Sequence, residues 1–182
     1  MEIITTPIKD LIIIKPDVFH DARGYFTETY NKEKYFANGI LNNFVQDNMS
    51  KSSYGTVRGL HNQKGEFSQA KLVSVVVGKV WDIAVDLRQN SETFGKWYGV
   101  ELSDENHLQF LVPRGFFHGF SVLSDTAIFT YKCDNFYEKN AELSIIYNDK
   151  DLNVDWKIPA EKMLVSEKDK LNQCFQEFLK TI

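Results

Sequence analysis

Leu72 to Val77 reads LVSVVV, and Val80 to Leu87 reads VWDIAVDL, with Gly78-Lys79 between them. A β-branched side chain is stiff at χ1 and suits a pleated strand better than a helix. The glycine-led pair is a tight hairpin signal, so this stretch predicts two antiparallel strands. Similar spans recur along the chain. Phe44 to Met49 reads as a strand that ends at Ser50-Lys51-Ser52-Ser53. Thr56 to Leu60 delivers His61, a turn follows at Lys64-Gly65-Glu66, and Gln69 and Lys71 open the next strand. Trp97 to Leu102 and His107 to Val112 flank a turn at Ser103 to Asn106, and Phe120 to Leu123 and Ala127 to Cys133 form a last hairpin. Many short strands at regular spacing, with turn residues between them, argue an all-β sandwich or barrel.

Two stretches depart from this pattern. Near the N-terminus, Ala22-Arg23-Gly24 is a turn, and Gly24 to Tyr30 alternates as a strand with Phe26 and Glu28 on one side. Asn31 then caps a short helix over Lys32 to Asn38, closed by Gly39. At the other end, Ser166-Glu167-Lys168-Asp169 matches a capping box before a helical run through Lys180, with Leu171, Phe175, Phe178 and Leu179 on one face. There is no internal repeat, low-complexity tract or linker, and 182 residues suit one domain with a real core.

Composition narrows the function classes. The net charge of −4 comes without a basic block, which argues against a nucleic-acid surface, although a pocket can still be locally basic. The longest apolar run near the N-terminus, Leu11 to Ile14, is too short for a signal peptide or a membrane span. The two cysteines, Cys133 and Cys174, make neither a disulfide framework nor a zinc spacing, so a reducing cytoplasm fits.

The chemistry-bearing residues concentrate between Gly55 and Lys71, where a short span presents Arg58, His61, Gln69 and Lys71 around a strand end. Gly59 inside that strand marks a bulge or a close approach of another backbone. The plain alternative is a surface hairpin with ordinary polar residues. His118 lies in Pro113-Arg114-Gly115-Phe116-Phe117-His118, and a histidine among apolar neighbours is often simply a satisfied core group. The spacing Pro-x-Gly-x-x-His, however, resembles the second motif of cupins, small jelly-roll barrels. Metal-binding cupins carry His-x-His in their first motif. Here that span reads His61-Asn62-Gln63, and two histidines are too few for a closed zinc or iron site, so no metal is expected.

A more specific resemblance runs in order over nearly the whole chain. Phe19 to Glu28 (FHDARGYFTE), Gln46-Asp47-Asn48, Arg58-Gly59-Leu60-His61, Gly115 to Phe120, Tyr131-Lys132-Cys133 and Ser166 to Asp169 together resemble the dTDP-4-dehydrorhamnose 3,5-epimerase family. The resemblance implies a mainly β fold, a cupin-type jelly-roll barrel with short flanking helices and a C-terminal helix. It implies a homodimer in which an N-terminal arm, about residues 1–50, is shared. It implies no cofactor, a nucleotide-diphospho-4-keto-6-deoxy sugar as substrate, and a place in dTDP-rhamnose supply for cell-surface polysaccharide. By the same resemblance His61 is the base, Asp169 its partner, Tyr131 the acid, and Lys71 the cation at the enolate oxygen with His118 beside it. Gln46, Asp47, Asn48, Arg58, Glu142 and Lys168 would hold the nucleotide sugar, with Arg23, Phe26 and Glu28 in the substrate site too, Arg23 and Glu28 reaching in from the partner subunit. The plain alternatives are a capping residue for Asp169 and solvated charges for Arg23, Glu28, Glu142 and Lys168.

Some positions depart from the family's pattern. Asn62 and Lys64-Gly65-Glu66 replace an apolar residue and a proline-containing loop, and Phe117 replaces a small residue. These are expected to alter the pocket wall and leave open a 4-keto heptose, a GDP carrier, or epimerisation of one carbon only. A non-catalytic sugar-binding cupin would have no need of both His61 and Tyr131. A metal-dependent cupin isomerase or dioxygenase would bind stoichiometric metal.

Overall fold

The computed structural model describes residues 1–181, and strands make up its frame. In chain order the elements are β1 (Glu2–Thr5), β2 (Ile12–Lys15), β3 (Val18–Asp21), β4 (Gly24–Thr27), α1 (Lys32–Ala37), β5 (Gln46–Ser53), β6 (Thr56–Gln63), β7 (Lys71–Val77), β8 (Lys79–Asp86) and β9 (Trp97–Ser103). They continue as β10 (Gln109–Val112), β11 (Phe116–Val122), β12 (Thr126–Cys133), β13 (Glu142–Ser144), β14 (Leu164–Val165), α2 (Glu167–Lys170) and α3 (Phe175–Leu179). One sheet runs β1-β2-β10-β7-β12-β5, and a second runs β13-β6-β11-β8-β9 with β14 beside β6. From β7 to β12 the chain passes back and forth between the sheets, the winding of a jelly roll. β3 and β4 form a separate two-stranded ribbon.

Period-two alternation sorts side chains into three packed layers. Val73, Val75 and Phe129 of the first sheet meet Val80, Ala84, Phe116, Phe120 and Val122 of the second in the core between the sheets. The intervening Ile83, Val85 and Phe117 face outward and pack under the C-terminal segment, against Ile145, Leu152, Trp156 and Phe178. Leu72 and Leu111 on the back of the first sheet are covered by Tyr35 of α1. Asn31 caps that helix by accepting from the Lys34 backbone N–H, as its sequence requires.

Several local readings are corrected. Neither predicted hairpin forms: β7 pairs with β10 and β12 while β8 pairs with β9 and β11, and β11 and β12 likewise lie in different sheets, because each turn carries the chain across the barrel rather than back along the same sheet. The predicted C-terminal helix is broken: α2 ends at Lys170, and α3 begins only at Phe175. Phe175 and Phe178 are buried, but Leu171 is 85% exposed and shares no face with them. Ser166 caps α2 through the Asp169 N–H, whereas the Asp169 carboxylate turns to His61 rather than closing a capping box. The strand read over Phe44 to Met49 starts at Gln46 and does not end at Ser50, because every residue of β5 through Ser53 pairs with β12. The strand from Gly24 stops at Thr27, short of Glu28. β1 and β2 were not foreseen. They pair with each other, and β2 joins the sheet through β10, a contact distant in sequence. Among the described residues no helix is long and apolar enough to cross a membrane.

Candidate active site

In a regular strand Arg58 and His61, three positions apart, would point to opposite faces. The structure turns both to the same cleft by an irregularity at Gly59. On β11, His118 pairs with His61 and Phe120 with Arg58, so two steps on β11 oppose three on β6, which is a bulge. Gly59 has φ +138°, and a Cβ there would lie 2.6 Å from the Gly119 Cα. Only glycine meets both demands, so this one residue decides which side chains reach the cleft.

The cleft, of about 670 Å³, lies between the two sheets. One wall carries His61, Arg58 and His118 from β6 and β11, and the other carries Lys71, Tyr131 and Asn48 from β7, β12 and β5. His61 donates from Nε2 to Asp169 Oδ1 at 2.6 Å, which leaves Nδ1 without a partner among the described residues. The Asp169 side chain is only 7% exposed. Burial by itself would raise its carboxyl, but the His61 ring, Ser166 and Asn172 outweigh that and hold it below the ordinary carboxylate range. His118 Nε2 sits 2.9 and 3.0 Å from the two oxygens of Asp82, which is fully buried. Burial pushes the Asp82 carboxyl up, against the pull of His118 and Lys71.

Lys71 is held below the ordinary lysine value by burial, with Cys133, Asp82 and Glu142 pulling the other way. Its Nζ lies 5.9 Å from the centre of the Tyr131 ring. Burial, with a smaller contribution from Cys133, raises the Tyr131 hydroxyl, so it keeps its proton at neutral pH. Arg58 donates from Nε and Nη2 to Ser52 Oγ at 3.2 Å and otherwise faces solvent. A second recess of about 310 Å³ opens beside the cleft, sharing Asn48, His61, Lys71 and Tyr131 and adding Gln46, Tyr137 and Glu142. There Lys168 donates to both Glu142 oxygens at 2.7 and 2.6 Å, and the Tyr137 hydroxyl donates to Glu142 at 3.3 Å. Among the described residues no group of three or more His, Cys, Asp or Glu side chains is arranged to hold a metal ion.

Thus His61, Asp169, Lys71, Tyr131, His118, Arg58 and Asn48 meet in one place, with Gln46, Glu142 and Lys168 at its flank. Asp47 stands apart, paired with Lys132 at 2.8 Å and largely exposed. Arg23, Phe26 and Glu28 do not reach this chain's own cleft. Arg23 is 91% exposed and paired with Asp21, Phe26 is 68% exposed, and Glu28 pairs with Lys34. Phe117 does not touch the cleft wall as expected; it packs outward on Phe178. Asn62 does line the side recess, while Lys64 to Glu66 border a separate shallow depression. Sequence reasoning missed Asp82, Tyr137, Phe120 and Phe129. Asp82 left a signal, being an acid in the middle of β8 with apolar residues on either side of it.

A jelly roll with two histidines side by side on one wall of its cleft, each backed by a buried carboxylate, defines a cupin-type barrel with paired acid–base groups. The family model described as dTDP-4-dehydrorhamnose 3,5-epimerase matches residues 5–177. The chain belongs to the dTDP-4-dehydrorhamnose 3,5-epimerase family. It is 50% identical to the dTDP-4-dehydrorhamnose 3,5-epimerase of Shigella flexneri, over 96% of each chain. A crystal structure of the Elizabethkingia anophelis dTDP-4-dehydrorhamnose 3,5-epimerase superposes with a TM-score of 0.93 at 62% identity, covering 97% of both chains. A dTDP-6-deoxy-D-glucose-3,5-epimerase from Legionella pneumophila, solved in complex with dTDP-4-keto-L-rhamnose, superposes with a TM-score of 0.92 at 46% identity, covering 96% of this chain and 93% of that one.

Proposed function

We propose that this protein is an isomerase that inverts carbons 3 and 5 of a dTDP-4-keto-6-deoxy sugar, converting dTDP-4-dehydro-6-deoxy-glucose to dTDP-4-dehydrorhamnose without a cofactor. The observation that carries the reading is the His61–Asp169 pair facing Tyr131 across one cleft, from opposite sheets. Hydrogens on the carbons beside a ketone are weakly acidic. His61 takes one at Nδ1, and the electron pair moves onto the ketone oxygen as an enolate. Asp169 supports the imidazolium that results. Lys71 meets the charge on that oxygen, with His118 as a second donor. A developing anion there offsets the burial that weakens the Lys71 ammonium. The enolate carbon then takes the Tyr131 proton on the opposite face; the His61 imidazolium gives its proton to solvent and solvent reprotonates the tyrosinate, which resets the pair for the second carbon. Every step is a proton transfer, and the composition of the sugar is unchanged.

Arg58 is a phosphate contact, since a diphosphate favours an arginine fork. Gln46, Asn48, Glu142 and Lys168 hold the rest of the nucleotide sugar, whereas Asp47, paired with Lys132 away from the cleft, takes no part. The exposed ribbon β3–β4, with Phe19, Tyr25 and Phe26 in water, supports a homodimer in which Arg23, Phe26 and Glu28 complete the neighbour's site. Free Cys133 and Cys174 fit a reducing cytoplasm.

The test is incubation of dTDP- and GDP-linked 4-keto sugars in deuterated water, followed by mass measurement, with His61→Ala as control. Two deuterons in the dTDP-6-deoxyhexose are expected. One would mean a single epimerisation, and none in any candidate would leave a sugar-binding module.

A further inference from the structure

We infer that Phe120 and Phe129 form the subsite for the C6 methyl group, and that this pair sets the preference of the cleft for 6-deoxyhexoses; the inference rests on the epimerase reading above. Phe120 on β11 and Phe129 on β12 come from opposite sheets and stack with ring centres 4.2 Å apart, 19° from parallel. Both line the cleft although each is almost wholly buried. Phe129 also stacks on His118, with centres 6.2 Å apart, and meets Tyr131 at 5.9 Å. One phenyl ring therefore adjoins both the donor at the ketone oxygen and the acid that serves the neighbouring carbon.

In the substrate, the two carbons beside the ketone carry different groups: a hydroxyl on C3 and a methyl on C5. Set against the two phenyl rings, a hydroxyl would lose its water and gain no hydrogen bond, whereas a methyl would lose nothing. The methyl is the substituent that belongs there. Asn48 and Ser50 of the same cleft remain for the C3 hydroxyl. Fixing the methyl also fixes which face of the ring His61 meets, so the same pair orients the sugar.

The experiment compares a dTDP-4-keto-6-deoxyhexose with the dTDP-4-keto-pentose that lacks C6. Deuterium uptake at C3, a position both sugars share, is followed by mass. The wild type should favour the hexose in kcat/KM by roughly 10- to 200-fold, the range for one carbon in an apolar pocket. Phe129→Leu and the volume-keeping Phe120→Met should reduce that preference to below about tenfold, mainly by slowing the hexose. Either variant suffices, and the wild-type ratio needs no variant at all. Equal rates on the two sugars in the wild type would overturn the subsite. So would an undiminished preference in both variants, because the methyl would then bind elsewhere. Exchange in neither sugar by the wild type would instead overturn the epimerase reading itself.

Discussion

Tyr131→Phe should separate the two halves of the reaction. The change removes one hydroxyl that has no hydrogen-bond partner among the described residues. It leaves the ring on β12, tilted against Phe129 at 5.9 Å and beneath the Lys71 ammonium. No partner is left unsatisfied and no cavity opens, so stability should change by no more than about 0.5 kcal/mol, or about 2 °C in Tm. His61, Asp169 and Lys71 are untouched, so the first proton still leaves and the enolate still forms. Only delivery from the far face is lost, and epimerised product should fall by about 10²- to 10⁴-fold. Hydrogen exchange with deuterated water should persist by return to the same face. The assay is paired: deuterium incorporation by mass, and product stereochemistry by proton coupling constants. Parallel loss of exchange and product would refute the assignment and make Tyr131 a positioning group for the first step. Retention of both would make it a packed aromatic.

Asp169→Asn keeps the shape of the carboxylate but removes a charge-assisted bond of 2.6 Å to His61, a loss of about 1.5–3 kcal/mol or roughly 10- to 150-fold in the exchange rate. A lower melting temperature with unchanged exchange would return Asp169 to a merely structural role in α2. Buried Asp86 provides a pH prediction. Burial would raise it, but bonds from Arg88, Ser91 and Thr93 hold it down to about 2. A carboxyl lowered in the folded state adds stability above its unfolded value near 3.8 and loses it as pH falls through the folded value. Urea unfolding should therefore weaken by about 2 kcal/mol between about pH 5 and 2 on this account, and Asp86→Asn should abolish that part of the slope. Sedimentation should find a dimer at working concentration, and a fully active monomer would refute the shared site.

The barrel was legible because strands announce themselves locally. Leu72–Val77 and Val80–Leu87 were legible as strands around a turn at Gly78-Lys79, though not their pairing, since the turn crosses from one sheet to the other; the alternation of the second run separated the barrel core from its outer cover. The helix α1 was legible for a similar reason, since Asn31 is both its cap and its signal. β1 and β2 were not, because their place depends on β10, about a hundred residues further on. The C-terminal helix misled because helical spacing persists through Leu171 to Cys174 in the sequence. In the fold, Asp169 is drawn to His61, and the backbone of Phe175 is held by Asp149, so the run breaks between them.

For the candidate site, the sequence by itself offered His61 and Lys71 at strand ends and His118 among apolar neighbours, while Tyr131 and Asp169 entered only through the resemblance to one family. It also marked Gly59 as a place where the strand could not be ordinary. Tertiary structure decided the rest, because side-chain direction and pairing depend on contacts between distant strands. Only the register of β6 on β11 turns Arg58 and His61 to the same side. Only the opposition of the sheets sets Tyr131 across from His61. Asp82 became the partner of His118, and Phe120 and Phe129 became a floor, because each is fixed by a neighbour that no local pattern names.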